Sequence, residues 1–120
     1  MVAHAGYRLS YLANDKDDSV RREVAEQGHN LSNFIRDSSY LVRKAVAEQG
    51  YGLDILYKDK ITDVRVAVAR QKYRLDIMID DKSPYVRAEV AKQGYGIDKL
   101  SNDNSKIVQR AIKDYKIKFV

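Results

Sequence analysis

The sequence predicts an all-α solenoid, on three observations: one motif returns every 22 residues, apolar positions keep step with it, and helix-starting and helix-ending residues frame each copy. Val-Arg stands at Val20-Arg21, Val42-Arg43, Val64-Arg65 and Val86-Arg87, and Val108-Gln109 continues the series with its arginine replaced. Leu31, Leu53, Leu75 and Ile97 form one apolar column, with Leu9 ahead of them. Leu12, Phe34, Leu56, Met78 and Leu100 form a second, and Val24, Val46, Val68, Val90 and Ile112 a third. Asp15, Asp37, Asp59, Asp81 and Asp103 recur in phase, as do Gln27, Gln49, Gln71 and Gln93. A single unit cannot bury all these apolar columns, so neighbours must stack and share one continuous core along a curved rod.

The clearest copy runs from Ser83 to Gly94. Ser83 is an N-capping residue and Pro84 takes the first helical position, where its missing N–H costs nothing. Val86 and Val90, four apart, share a face, and Gly94 supplies the left-handed conformation that closes a helix. Gly6, Gly28 and Gly50 hold the same place in other copies. A second element follows, with Asp98 expected to cap it, as Ser10, Ser32, Asp54 and Asp76 would in their copies. Its few residues leave room for one turn of α- or 3₁₀-helix. Each unit is thus a longer helix, a tight turn and a short helix. Residues 1–120 read as a single repeat domain of about five units with half-repeats at both ends, the first opening half-way through a long helix and the last breaking off at Ile117-Lys118-Phe119.

The Asp, Val-Arg-x-x-Val-Ala and paired-leucine pattern resembles the leucine-rich repeat variant, a bacterial relative of the HEAT-like helical repeats. The likeness is strongest over Val42 to Ala47, Val64 to Ala69 and Val86 to Ala91, and Gln109 and Lys113 depart from it. Gly-Tyr-Gly also stands where that family commonly holds proline after the long helix. The resemblance implies a right-handed superhelix in which an α-helix alternates with a short, often 3₁₀, helix, and it implies no single activity.

Composition narrows the function. The chain has 120 residues, no cysteine and a formal charge of +5. Absence of cysteine removes disulfides, thiolate metal sites and cysteine nucleophiles together. No apolar run reaches the roughly 18 residues of a membrane span, and no secretory leader is visible, so a cytoplasmic protein without membrane contact is expected. His4 and His29 occupy different repeat columns, and capping and pairing account for the aspartates. No enzyme, metal or cofactor is therefore expected. What remains is a binding module: a protein partner first, a nucleic acid second, with end-to-end self-association of open repeat ends alongside.

The periodic arginines suit phosphate oxygens, yet each follows an aspartate by six residues. Asp37, Arg43, Asp59, Arg65, Asp81 and Arg87 therefore read as a structural ladder between repeats. Nine tyrosines against two phenylalanines is a marked bias. Tyr51, Tyr73 and Tyr95 follow the helix-closing turn and read as structural, whereas Tyr40, Tyr57 and Tyr85 lie off that column and are candidate contacts. Gln71-Lys72-Tyr73-Arg74 replaces two glycines by basic residues, so Arg70, Lys72, Arg74 and Lys92 form a candidate basic patch at the third-to-fourth repeat junction. An unbroken basic track for nucleic acid is missing. The column Arg22, Lys44, Val66, Ala88 and Arg110, read as exposed, is interrupted, and Glu26, Glu48, Arg70, Lys92 and Asp114 change sign along the rod.

Overall fold

The computed structural model describes residues 11–119. Among them all regular structure is helical, in nine helices: α1 (Asp18–Glu26), α2 (Leu31–Phe34), α3 (Tyr40–Glu48), α4 (Leu53–Leu56), α5 (Thr62–Arg70), α6 (Leu75–Met78), α7 (Pro84–Lys92), α8 (Ile97–Leu100) and α9 (Lys106–Phe119). The long helices start 22 residues apart, at Asp18, Tyr40, Thr62, Pro84 and Lys106. Each packs against the long helix before and after it in chain order, and each short helix leans on the long helix that follows. The extents are 51 × 27 × 20 Å.

Burial follows the sequence columns. Val42, Val64, Val86 and Val108 are fully buried, as are Val46, Val68 and Val90 and the alanines Ala25, Ala47, Ala69 and Ala91. The short helices insert Phe34, Leu56, Met78 and Leu100 into the same core. Small alanines beside valines let adjacent long helices approach closely, and the larger short-helix side chains fill the space left at one edge. Ala88, expected on an exposed column, is only 3% exposed. Its methyl group is covered because neighbouring helices close in on that side.

The cap expected on a long helix, Ser83, is in place, while those expected on the short helices differ. Ser39 and Ser83 accept from the amides of Leu41 and Tyr85, both at 3.2 Å, and Pro84 opens its helix. Ser32, Asp54, Asp76 and Asp98, expected as caps, instead sit second in their helices. The N-cap position belongs to Asn30, Gly52, Arg74 and Gly96, all left-handed and none making a capping bond through a side chain. The reason is steric economy in the turn: one left-handed residue closes the long helix and a second, two positions on, opens the short one. Asp54, Asp76 and Asp98 stand in the first turn of their helices. The assignment of Ser10 and the opening half-helix lie outside the described residues.

Each short helix is a turn of α-helix. The last long helix also departs from expectation, running without a break through Lys116, Ile117 and Lys118 to Phe119. Lys116 stands 22 residues after Gly94, and here the helix continues through the position, whereas Lys72 in the same column adopts the left-handed closing conformation. Its tip leaves Ile117 and Phe119 exposed, with Phe119 stacked against Tyr115 at 4.9 Å.

Candidate interaction groove

Asp and Arg columns meet in one repeating arrangement. Arg43 forks onto Asp59, Nε to Oδ2 at 2.7 Å and Nη2 to Oδ1 at 3.2 Å, while its Nη1 donates to the Asp37 carbonyl at 2.7 Å. Arg21 with Asp37, Arg65 with Asp81 and Arg87 with Asp103 repeat the fork. Each arginine thus bonds the backbone of the aspartate six residues before it and the carboxylate of the one sixteen after it. The carboxylate partner lies in the next unit, where the six-residue spacing alone suggests the preceding one. Each aspartate also accepts from the amide two residues on, for example Ser83 onto Asp81 at 2.9 Å, which orders the start of the following helix. Burial works against the Asp37 carboxylate, but the Arg21 guanidinium and the Ser39 amide outweigh it and lower its pKa. The Arg87 guanidinium does the same for Asp103, against a smaller burial effect. With both its acceptor edges occupied, this row has little left to offer a ligand.

A second row, on the glutamine column, lies at the helix ends. Gln49 Nε2 donates to the Glu26 carbonyl at 3.0 Å and Gln71 Nε2 to the Glu48 carbonyl at 3.2 Å, each satisfying the last turn of the preceding long helix. Gln109, in the arginine column, keeps the backbone half of that role and donates to the Asp103 carbonyl at 2.8 Å.

One open groove of about 680 Å³ crosses the outward faces of α5, α7 and α9. Its floor is apolar and small-featured, from Val66, Ala88, Ala111 and Ile107, and Tyr85 stands on its rim, 59% exposed. Charged side chains surround the floor: Arg70, Lys92, Lys106 and Arg110 against Asp63, Glu89 and Asp114. Glu89 differs from the rest because it is only 8% exposed. Its carboxylate meets Arg70 Nε at 3.2 Å across the helix interface and Lys92 Nζ at 3.4 Å one turn along its own helix. An ionised carboxylate buried to this degree requires such partners.

The structure divides the candidate residues read from sequence. It brings Arg70 and Lys92 together, on Glu89, and sets Tyr85 beside them in the groove. Lys72 and Arg74 lie in the turn, outside the groove lining, both at positive φ. Arg74 forks onto Asp76 of its own short helix, both contacts 3.1 Å, so the four basic residues form no single patch. The ring of Tyr57 packs against Tyr73 at 5.7 Å and lines a separate hollow with Lys58 and Asp80. Tyr40 is exposed at the start of α3, away from the groove.

Glu89, Lys106 and Ile107 enter only through the structure, which also places Val66, Ala88 and Arg110 of one sequence column in the groove lining, with Ala88 buried and Arg110 exposed. Glu89 leaves only a partial trace in the sequence, since Ala45, Ala67 and Ala111 hold its column in three other units but Glu23 shares it in the first. Among the described residues no three His, Asp or Glu side chains cluster as metal ligands, and no helix is long and apolar enough to cross a membrane. No family model, curated protein or solved structure matches the chain.

Proposed function

We propose that the chain is a right-handed α-solenoid of 22-residue units, of the leucine-rich repeat variant or wider HEAT-like kind, and that it serves as a binding module for another protein without catalysis of its own. The groove over α5, α7 and α9 carries this reading: it joins a floor of small apolar side chains to an exposed tyrosine and a ring of charges, the mixture that protein interfaces use. The constant spacing of helix starts and the packing of each long helix onto its chain neighbours support the solenoid part. Three successive long helices then present one surface without any of them having to move.

Replacing Tyr85 by a benzophenone amino acid places a photo-crosslinker on the groove rim, and the same substitution at the exposed Asp98 samples a short helix. Protein adducts from the Tyr85 position alone are expected in extracts of the source cell. Equal labelling from both positions contradicts the groove. Adducts that vanish on nuclease treatment, with affinity falling steeply as salt rises, make the partner a nucleic acid instead.

A further inference from the structure

We propose that the groove selects an acidic segment of its protein partner, and that buried Glu89 is the positioning residue that holds Arg70 and Lys92 as a two-cation clamp for a carboxylate of that segment. The proposal rests on the binding-module reading and adds to it the chemistry of the partner.

Two cations here share one carboxylate. Arg70 approaches through Nε and Lys92 through one ammonium N–H, whereas a guanidinium carries five donors and an ammonium three. Most of this capacity is left over, and both head groups are about half exposed, at 54% and 56% for the side chains. Glu89 itself offers an incoming cation little, since its side chain is 10% exposed and each oxygen already has a positive partner. A ligand in the groove therefore meets four exposed cations and, at the surface, only the carboxylates of Asp63 and Asp114.

Preorganisation is the gain from Glu89. Free arginine and lysine side chains lose considerable rotamer entropy on capturing an anion, and side chains fixed beforehand lose less. A carboxylate fixed by burial at the junction of two helices sets the spacing of cations from both. The extent of the basic surface favours one acidic segment over a long polyanion. Glu26 and Glu48, exposed in the column of Arg70 and Lys92, end the positive surface within the first units, so a phosphate backbone would find no track along the rod.

The test uses the full chain and a short fluorescein-labelled peptide of glutamate and alanine, with a lysine–alanine peptide of equal length as control, read by fluorescence anisotropy. The glutamate peptide is expected to bind and the lysine peptide not. Glu89→Gln decides the role of the buried carboxylate, because it makes the groove more positive by one charge. Attraction by net charge alone then predicts tighter binding of the glutamate peptide, while a positioning role predicts weaker binding, by about tenfold. Lys92→Met, which keeps the length of the stem and leaves Arg70 on Glu89, is expected to weaken binding similarly. If Glu89→Gln does not fold, the comparison is Lys106→Met, which removes the same charge elsewhere in the groove: a larger loss with Lys92→Met supports the clamp and an equal loss overturns it. Lys72→Ala, outside the groove, should change nothing. Unchanged or tighter binding by Glu89→Gln, equal binding of the lysine peptide, or a loss with Lys72→Ala as large as with Lys92→Met overturns the proposal. A crosslink at Tyr85 to a protein, together with any of these results, removes the clamp and leaves the binding module standing.

Discussion

From Asp37 to Asp103, the aspartates of the 22-residue motif each satisfy three demands at once. Asp81 accepts the Arg65 fork from the previous unit and the Ser83 amide at the next helix start, and its carbonyl receives Arg87. Two of these carboxylates, Asp37 and Asp103, keep their charge below the pH at which free aspartate takes up a proton. For Asp37 and Asp103, whose pKa values are lowered, the sign is definite. Their stabilisation is complete above the ordinary aspartate pKa of about 3.9 and is lost as pH falls through the lower folded value. Thermal melts from pH 7 down to about 2 should show the melting temperature falling steeply at the acid end. Asp37→Asn should be less stable at neutral pH and flatter in acid; a variant whose melting curve runs parallel to that of the parent would show that the ionised carboxylate contributes nothing.

At the scale of elements, most boundaries follow from single residues. Ser39 caps α3 and Ser83 with Pro84 opens α7, Gly28, Gly50, Lys72 and Gly94 at positive φ follow the ends of α1, α3, α5 and α7, and α9 runs on through Lys116. In Gly-Tyr-Gly the second glycine is tied to a neighbour: a Cβ on Gly52 would lie 2.9 Å from Ile35, and one on Gly96 would collide with Ile79. Arg74 occupies that position opposite Tyr57, whose ring packs on Tyr73, so the two departures from the repeat are matched. Lys72 has no such compensation. At φ 61° it is held in the left-handed region, at a cost of roughly 1 kcal/mol relative to glycine. Lys72→Gly should therefore raise the unfolding free energy by up to about that amount, read from the midpoint of urea denaturation at unchanged slope. A lower midpoint would mean that the lysine side chain contributes a contact outweighing its backbone strain.

Over the whole molecule, cohesion comes from an apolar core shared between neighbours and from the Arg–Asp forks that bridge each unit to the next. Arg65 and Asp81 side chains are 6% and 11% exposed, so removing the arginine leaves a nearly buried carboxylate without its cation. Arg65→Ala is expected to cost about 3 kcal/mol and to lower the melting temperature. Because the pair spans two units, hydrogen exchange should quicken in α5 and α7 together; quickening in α5 alone would make the fork a local contact.

The 22-residue period is enough to place the starts of the long helices, every stop but that of α9, and the buried columns, because capping and left-handed turns act over a few residues and apolar spacing selects one helical face. The short-helix caps differ from the sequence expectation because two left-handed residues share each turn, and at Gly52 and Gly96 the nearness of Ile35 and Ile79 in the preceding unit leaves no room for a side chain. The arginine's carboxylate partner differs for a similar reason: a long side chain reaches across to the next unit as easily as within its own. The groove is the least legible. Whether Ala88 faces solvent or a neighbour, and whether Glu89 meets Arg70 on another helix, depends on how closely and at what angle the long helices lie. Local spacing carries the period of the helices, whereas the distance between their faces is decided only when the side chains of all units pack at once.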